Sequence, residues 1–71
     1  MNNNKYIVEL WNDEDGLINK RVFKDEMQAR INYLSCVTTN MFTHDYFVEL
    51  WLDKNDRLSL ITCVKVYNFN V

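Results

Sequence analysis

Two glutamates are the residues best placed for acid–base chemistry, because they stand at the same point of a repeated phrase. The phrase reads YIVELWND at residues 6–13 and YFVELWLD at residues 46–53, which aligns Glu9 with Glu49. Paired carboxylates can donate and accept protons in an active site. The neighbouring sequence supplies neither a pocket nor a third polar group, so we interpret the pair as a charged border that keeps an apolar face soluble.

The other reactive side chains match no catalytic or zinc-binding pattern. His44 is the single histidine and lies beside Asp45, and the sequence places no nucleophile next to it. Cys36 and Cys63 lack CxxC spacing, and a structural zinc site normally needs about four ligands. We therefore interpret both cysteines as small buried side chains in a reducing compartment.

The acidic segment DEDG at residues 13–16 is similar to part of a calcium loop but fails at the essential positions. If Gly16 is the sixth position of an EF-hand loop, Trp11 and Val22 occupy the first and twelfth, where acidic ligands are needed. A hairpin turn is the better interpretation. A chain with one glycine also cannot form a glycine-rich phosphate loop. We predict no cofactor, no metal site and no enzymatic activity.

Composition predicts a single small globular domain over residues 1–71. Hydrophobic residues make up 48% of the chain and charged residues 25%, and the net charge is −2. This charge argues against nucleic-acid binding, although Lys20, Arg21 and Lys24 lie close together. The start MNNNKY has no signal-peptide character, and no apolar run approaches the roughly 20 residues that span a bilayer. We expect a cytoplasmic protein without membrane contact.

Periodicity predicts an α+β fold in the order strand, strand, helix, strand, strand (ββαββ). Residues 5–11 and 17–23 alternate as strands on either side of a turn that ends at Gly16. Helical spacing follows over residues 25–38, where Asp25 is the expected N-cap.

A second hairpin follows the helix and begins with the repeated phrase. Residues 45–52 and 57–69 form its strands, and Asn55 or Asp56 accepts a left-handed backbone at its turn. Together these elements predict a four-stranded antiparallel sheet made of two β-hairpins linked by one helix, which packs against one face. The strand order stays open.

The repeated phrase favours an internal duplication over a chance likeness of two strands. Six of its eight positions are identical between residues 6–13 and 46–53. Beyond the turns the second strands diverge, so the duplication is degenerate or was never complete.

Strand alternation sorts the side chains into an uncharged face and a mixed face. The uncharged face is predicted to form the core beneath the helix: Tyr6, Val8, Leu10, Tyr46, Val48, Leu50, Leu52, Leu58, Leu60, Val64 and Val66. The helix is predicted to cover it with Met27, Ile31, Leu34 and Val37.

The mixed face is the candidate interface. Its predicted contact residues are Ile7, Glu9, Trp11, Phe47, Glu49, Trp51, Ile61, Lys65 and Tyr67, with Cys63 among them. An outer sheet face is normally polar, and one helix cannot cover both sides of a sheet. Three coverings are open: curvature of the sheet onto itself, a second copy of the chain, or a different protein.

The asparagine-rich ends MNNNKY and YNFNV, the acidic balance and the lack of proline resemble small accessory proteins of bacteriophages and prophages. Such proteins often inhibit a host enzyme or defence component, and the resemblance implies that role here. The first functional hypothesis is a non-enzymatic protein-binding module with an unidentified partner, and the second is a homodimer or larger homo-oligomer. A third is nucleic-acid binding, in which bases stack on Trp11 and Trp51. The phosphate contacts would then come from Lys20, Arg21 and Lys65.

Overall fold

A computed structural model describes residues 4–39 and 45–67 and confirms the predicted α+β architecture. Its elements in chain order are β1 (Lys5–Asn12), β2 (Gly16–Phe23), α1 (Glu26–Thr38), β3 (Tyr46–Lys54) and β4 (Arg57–Val66). The strands form one antiparallel sheet in the order β2-β1-β3-β4, with α1 packed on one side. The two copies of the repeated phrase are therefore the two central strands, and they lie next to each other.

Both hairpin turns form as their residue types predict. In the β1–β2 turn, Asn12 Oδ1 accepts a hydrogen bond of 2.6 Å from the backbone N–H of Asp15. Gly16 has a positive φ of 73°, which glycine adopts without strain. In the β3–β4 turn, both Asn55 and Asp56 have positive φ values, 52° and 67°. Two successive left-handed residues suit the twist of a two-residue hairpin.

The sheet has a local pseudo-two-fold relation centred on one residue pair. β1 and β3 pair so that Glu9 lies opposite Glu49, and each glutamate stands at the same point of its phrase. Each hairpin also has a register shift at the same step, after Leu10 in β1 and after Leu50 in β3. The two hairpins thus correspond in strand pairing as well as in the sequence of their first strands.

The register shifts extend this correspondence into the outer strands. At each shift the outer strand carries a leucine followed by an isoleucine, Leu17-Ile18 in β2 and Leu60-Ile61 in β4. A direct alignment of the hairpins misses this match, because the segment between the phrase and the dipeptide is longer in the second hairpin. The remaining positions of β2 and β4 differ, as predicted.

The bulge in β4 corrects the predicted face of two leucines. Leu58 and Leu60, predicted in the core, lie on the side away from the helix and are 61% and 49% exposed. Their cross-strand partners there are Asp53 and Trp51. An extra residue moves every side chain beyond it to the other face, because the side-chain period of a strand is two. The extra residue is Ile61, which packs against the core.

The core lies between α1 and the central strands. Its buried members are Val8, Leu10, Ala29, Tyr33, Tyr46, Val48 and Leu50. The partly buried side chains packed against it are Tyr6, Phe23, Cys36, Val37, Ile61, Val64 and Val66. Alternation along β1 and β3 therefore predicts most core residues of the central strands, but Leu52, also predicted there, is half-buried and does not pack against this core. Val37 is a predicted helix residue that does contact the core.

The helix docks with a different stripe from the predicted one. Ala29 and Tyr33 are buried, whereas Met27, Ile31 and Leu34 are 68%, 55% and 59% exposed. Both stripes recur at helical spacing, so periodicity does not choose between them. The small side chain of Ala29 allows the helix backbone to lie close to the sheet, and Tyr33 fills the space one turn further on.

The first tyrosine of each phrase holds one end of α1. At the start of the helix, the Tyr6 hydroxyl donates to Glu26 Oε1 at 3.2 Å. At its end, the Tyr46 hydroxyl lies 2.8 Å from the carbonyl oxygen of Cys36 and 2.7 Å from that of Thr39, and these two carbonyls share its single proton. Burial raises the pKa of the Tyr46 hydroxyl above its ordinary value, at which a tyrosine is already protonated near neutral pH. Tyr6 and Tyr46 stand at the same point of the two phrases, and they thus hold opposite ends of the helix against the sheet.

The N-terminus of α1 forms at the predicted cap. Asp25 Oδ1 accepts a hydrogen bond of 3.2 Å from the backbone N–H of Met27, which satisfies one of the free donors at a helix start. One residue on, Glu26 forms an ion pair of 2.8 Å with Arg30. The hydrogen bond from Arg30, and after it the one from Tyr6, lowers the pKa of Glu26.

Candidate protein-binding face

The side of the sheet away from α1, which we call the open face, consists of alternate residues from all four strands. Cross-strand pairing places them in rows that run from β2 through β1 and β3 to β4. The first row is Leu17, Trp11, Phe47 and Lys65; the second is Lys20, Glu9, Glu49 and Cys63; the third is Val22, Ile7, Trp51 and Leu60. Two largely apolar rows therefore enclose a row that contains both central carboxylates.

Each tryptophan of the open face is held by the glutamate two residues before it. Trp11 Nε1 donates to Glu9 Oε1 at 3.2 Å, and Trp51 Nε1 donates to Glu49 Oε1, also at 3.2 Å. All four side chains are half-buried. Because these hydrogen bonds satisfy the polar end of each indole, the apolar rings can lie along the face in a fixed orientation.

The two carboxylates occupy positions that a sheet normally avoids. Glu9 and Glu49 are directly opposed in the central strands, and like charges in such positions destabilise a sheet. Within residues 4–39 and 45–67 the ion pair joins Glu26 to Arg30, and neither central glutamate takes part in one. Lys20 stands opposite Glu9 in β2 and supplies one positive charge to this row, so the centre of the open face keeps a net negative charge from the two carboxylates.

Most predicted contact residues lie on the open face, but the chain itself encloses two of them. Ile7 lies between Val22 and Trp51 and is 7% exposed, so it supports the face without being accessible to a partner. Ile61, predicted on this face, lies at the bulge and packs against the core. The accessible members are the half-buried Glu9, Trp11, Phe47, Glu49 and Trp51, and the exposed Lys65 and Tyr67.

The exposed members lie together at one edge of the face. The ammonium group of Lys65 is 5.4 Å from the centroid of the Tyr67 ring, which is within the range of a cation–π contact. This contact draws Lys65 toward the end of β4 and leaves the centre of the face to the glutamates and the aromatic rings.

Sequence reasoning missed four apolar residues that extend the open face to both edges. Leu17 and Val22 contribute from β2, and Leu58 and Leu60 contribute from β4. Their orientation depends on the two bulges, because each bulge reverses the faces of the residues beyond it. The Leu-Ile dipeptide common to both outer strands is the sequence signal that marks those bulges.

The basic residues considered for phosphate contact do not gather beside the tryptophans. Lys20 lies on the open face in one edge strand, and Lys65 lies in the other edge strand. Arg21 pairs with Val8 and so belongs to the helix side of the sheet. The central carboxylates would also repel a phosphate backbone. This arrangement gives no support to base stacking on the open face.

Neither thiol of the described residues has the lowered pKa that is typical of a reactive cysteine. Cys63 is exposed beside Glu49, which corrects the prediction that both cysteines are buried, and Cys36 is half-buried. Loss of hydration beside neighbouring groups raises the pKa of both thiols, and the charge of Glu49 raises that of Cys63 further. Residues 4–39 and 45–67 contain no group of three or more His, Cys, Asp or Glu that could hold a metal ion. His44 lies outside the described residues.

Comparisons with other proteins do not assign this chain to a family. No family model, no curated protein and no solved structure matches it. In the part of the chain that the structure describes, no helix is long and apolar enough to cross a membrane. The fold and the open face define a small α+β protein with an aromatic sheet face and an acidic centre, and its function is inferred from that face.

Proposed function

We propose that this protein is a non-enzymatic binding module that engages another protein through its open face. The observation that supports this proposal is the pair of tryptophans, which lie half-buried on the side of the sheet opposite α1. Monomeric proteins rarely expose more than a few hundred Å² of contiguous apolar surface. Here tryptophan, phenylalanine, leucine and valine side chains share one face, which is typical of a surface that a partner covers.

The tryptophans have the properties of binding anchors. Tryptophan is enriched among the residues that dominate binding energy, and truncation of such an anchor costs about 2 kcal/mol or more. The hydrogen bonds to Glu9 and Glu49 already order both indoles, so less side-chain freedom is lost when a partner binds. The more exposed Leu17, Val22 and Leu60 surround them and would exclude water from their contact.

The resemblance to small phage and prophage accessory proteins favours a host enzyme or defence component as the partner, and binding would then inhibit it. Cys36 and Cys63 are both free thiols, which suits a reducing compartment. We therefore propose the cytoplasm as the place of action.

Two serine substitutions on opposite sides of the molecule test the proposal. Leu60→Ser changes the open face and Ile31→Ser changes the outer side of α1, at side chains that are 49% and 55% exposed. Partners are captured with the wild-type protein from an extract of the cells that contain it, and the affinity of each variant for the captured protein is measured by calorimetry. We expect Leu60→Ser to weaken binding at least tenfold, which is about 1.4 kcal/mol. Ile31→Ser should leave it unchanged.

A second variant tests the anchor itself. Trp51→Ala should weaken binding more than Leu60→Ser does, and a circular dichroism spectrum checks its fold, because the substitution uncovers Ile7. If Ile31→Ser weakens binding and Leu60→Ser does not, the helix side is the binding surface and the proposal is wrong. Equal binding by all three variants also contradicts it.

A further inference from the structure

We propose that the partner segment seated on the open face carries a basic side chain between two apolar ones. This inference rests on the proposed function and gives the chemistry of the partner. The basic group, best an arginine guanidinium, lies at the Glu9–Glu49 pair, and its apolar neighbours pack on the rows to either side.

Charge favours a cation at the centre of the open face. Glu9 and Glu49 are directly opposed and half-buried, and neither takes part in an ion pair within the described residues. Lys20 stands opposite Glu9 in β2, so the row that holds these three charges is negative by one unit. A partner that covers the two glutamates removes the remaining water from them. Burial of a carboxylate without a counter-charge costs on the order of several kcal/mol of binding free energy. A partner that brings positive charge to this point avoids that cost, whereas a wholly apolar partner does not.

The carboxylates also have oxygen atoms available for such a group. The indoles of Trp11 and Trp51 bond to the Oε1 atoms, and in the described part of the chain no hydrogen bond reaches Oε2 of either glutamate. A guanidinium can donate to two carboxylates through its several N–H groups, and it can stack on an indole ring. A lysine ammonium supplies the charge but not the planar contact, so arginine fits the face better.

The rows of the open face set the spacing of the partner's side chains. Adjacent rows are two residues apart along a strand, which is about 6.7 Å, so the first and third rows are about 13 Å apart. An extended segment with the pattern apolar–x–Arg–x–apolar has the same spacing. Its arginine reaches Glu49 when its apolar side chains reach Phe47 and Trp51, which stand in these rows of β3.

A second copy of the chain fits this face poorly. Centred face-to-face packing of two copies brings Glu9 and Glu49 of one copy against the same pair of the other, so that four carboxylates meet. If one copy is displaced by one strand relative to the other, Lys20 of each copy faces Glu49 of the other. Glu9 of one copy then still faces Glu9 of the other. Both arrangements bury like charges together, which disfavours self-association through the open face.

A displayed library of random peptides tests the inference on the full chain. Peptides are selected on the wild-type protein, and those that bind Leu60→Ser equally well are discarded, so the retained ones use the open face. We expect the retained peptides to carry arginine or lysine between two apolar residues. A synthetic peptide in which citrulline, the neutral analogue of arginine, replaces that arginine should bind at least tenfold more weakly.

The double variant Glu9→Gln/Glu49→Gln shows whether that loss comes from the carboxylates. Glutamine keeps an oxygen that accepts the indole N–H, so the face retains its tryptophans while it loses both charges. On this variant the arginine and citrulline peptides should bind with affinities within about twofold of each other.

Three results overturn the inference. Retained peptides that lack a cation, or that tolerate citrulline on the wild-type protein, leave the proposed function standing and contradict only the basic segment. A dimer in light scattering that Leu60→Ser abolishes shows that a second copy occupies the face. A selection that yields no peptide sensitive to Leu60→Ser contradicts the proposed function, and the inference falls with it.

Discussion

Removing one of the central glutamates should stabilise the fold. Glu49→Gln takes one charge out of the Glu9–Glu49 pair and leaves a side-chain oxygen for the Trp51 indole, whose Nε1 lies 3.2 Å from Glu49 Oε1 in the wild type. The two glutamates are directly opposed, so the substitution relieves repulsion between like charges. We expect a higher Tm and a higher free energy of unfolding.

The distance between opposed side chains sets the size of this effect. Directly opposed Cβ atoms are about 4.5–5.5 Å apart, and cross-strand charge pairs are worth about 0.2–1 kcal/mol. Two unit charges about 5 Å apart repel by about 0.8 kcal/mol in bulk water and by about 3 kcal/mol at an effective dielectric constant of about 20. Because both glutamates are half-buried, we expect the upper part of the measured range, about 0.5–1 kcal/mol. That gain corresponds to about 2–8 °C in Tm.

Urea and thermal denaturation at low ionic strength, followed by tryptophan fluorescence and circular dichroism, measure the change. Glu14→Gln is the matched control, because it removes the same charge from the exposed β1–β2 turn, and it should alter Tm much less. The difference between the two variants should shrink in about 1 M salt, where the screening length is about 3 Å. If Glu49→Gln is no more stable than Glu14→Gln at low salt, the pair is not repulsive and the reasoning is wrong.

Two further results are expected from the groups that hold α1. Tyr46→Phe should destabilise the fold by about 1–2 kcal/mol, because it removes a buried donor from the helix-end carbonyls. Tyr6→Phe, which loses an exposed hydrogen bond, should cost less than about 0.5 kcal/mol in the same urea experiment, and equal losses would contradict the assignment. Glu26 should titrate in an NMR experiment with a pKa below 4.5, chiefly because Arg30 hydrogen-bonds its carboxylate. The pKa of Glu26 is depressed in the folded state. Its contribution to stability is therefore present above pH 4.5, the ordinary pKa of a glutamate, and is lost as the pH falls through the folded-state pKa. Arg30→Gln should move the midpoint back toward 4.5, and an unmoved midpoint would show that the pair does not form in solution.

Local chemistry explains which parts of the fold the sequence predicts. Gly16, Asn55 and Asp56 take the left-handed backbone that their types allow, and Asp25 caps α1, so the turns and the helix start follow from neighbouring residues. Alternation within the phrase likewise places its tryptophans and glutamates on one side of the sheet, because the side-chain period of a strand is two. These features need no knowledge of distant contacts.

Contacts between distant elements explain what the sequence does not predict. The outward position of Leu60 depends on one extra residue in β4, and the exposure of Ile31 depends on which of two apolar stripes of α1 docks on the sheet. The burial of Ile7 depends on neighbours from β2 and β3, whose order in the sheet the sequence leaves open. In each case tertiary packing decides between arrangements that local pattern treats as equal.

The repeated phrase is used on both sides of the sheet, and this bears on why its two copies are alike. Its tyrosine, valine and leucine residues hold α1 and fill the core, so the fold requires them. Its glutamate and tryptophan residues face away from the core, and the opposed Glu9 and Glu49 are expected to reduce stability. Ile7 and Phe47 occupy equivalent outward-facing points of the phrase and differ between its two copies. If nothing beyond the fold acted on the glutamate and tryptophan positions, we would expect similar differences there. Their identity in both hairpins, at a cost in stability, is expected if the two glutamates and two tryptophans act together as the centre of a binding face.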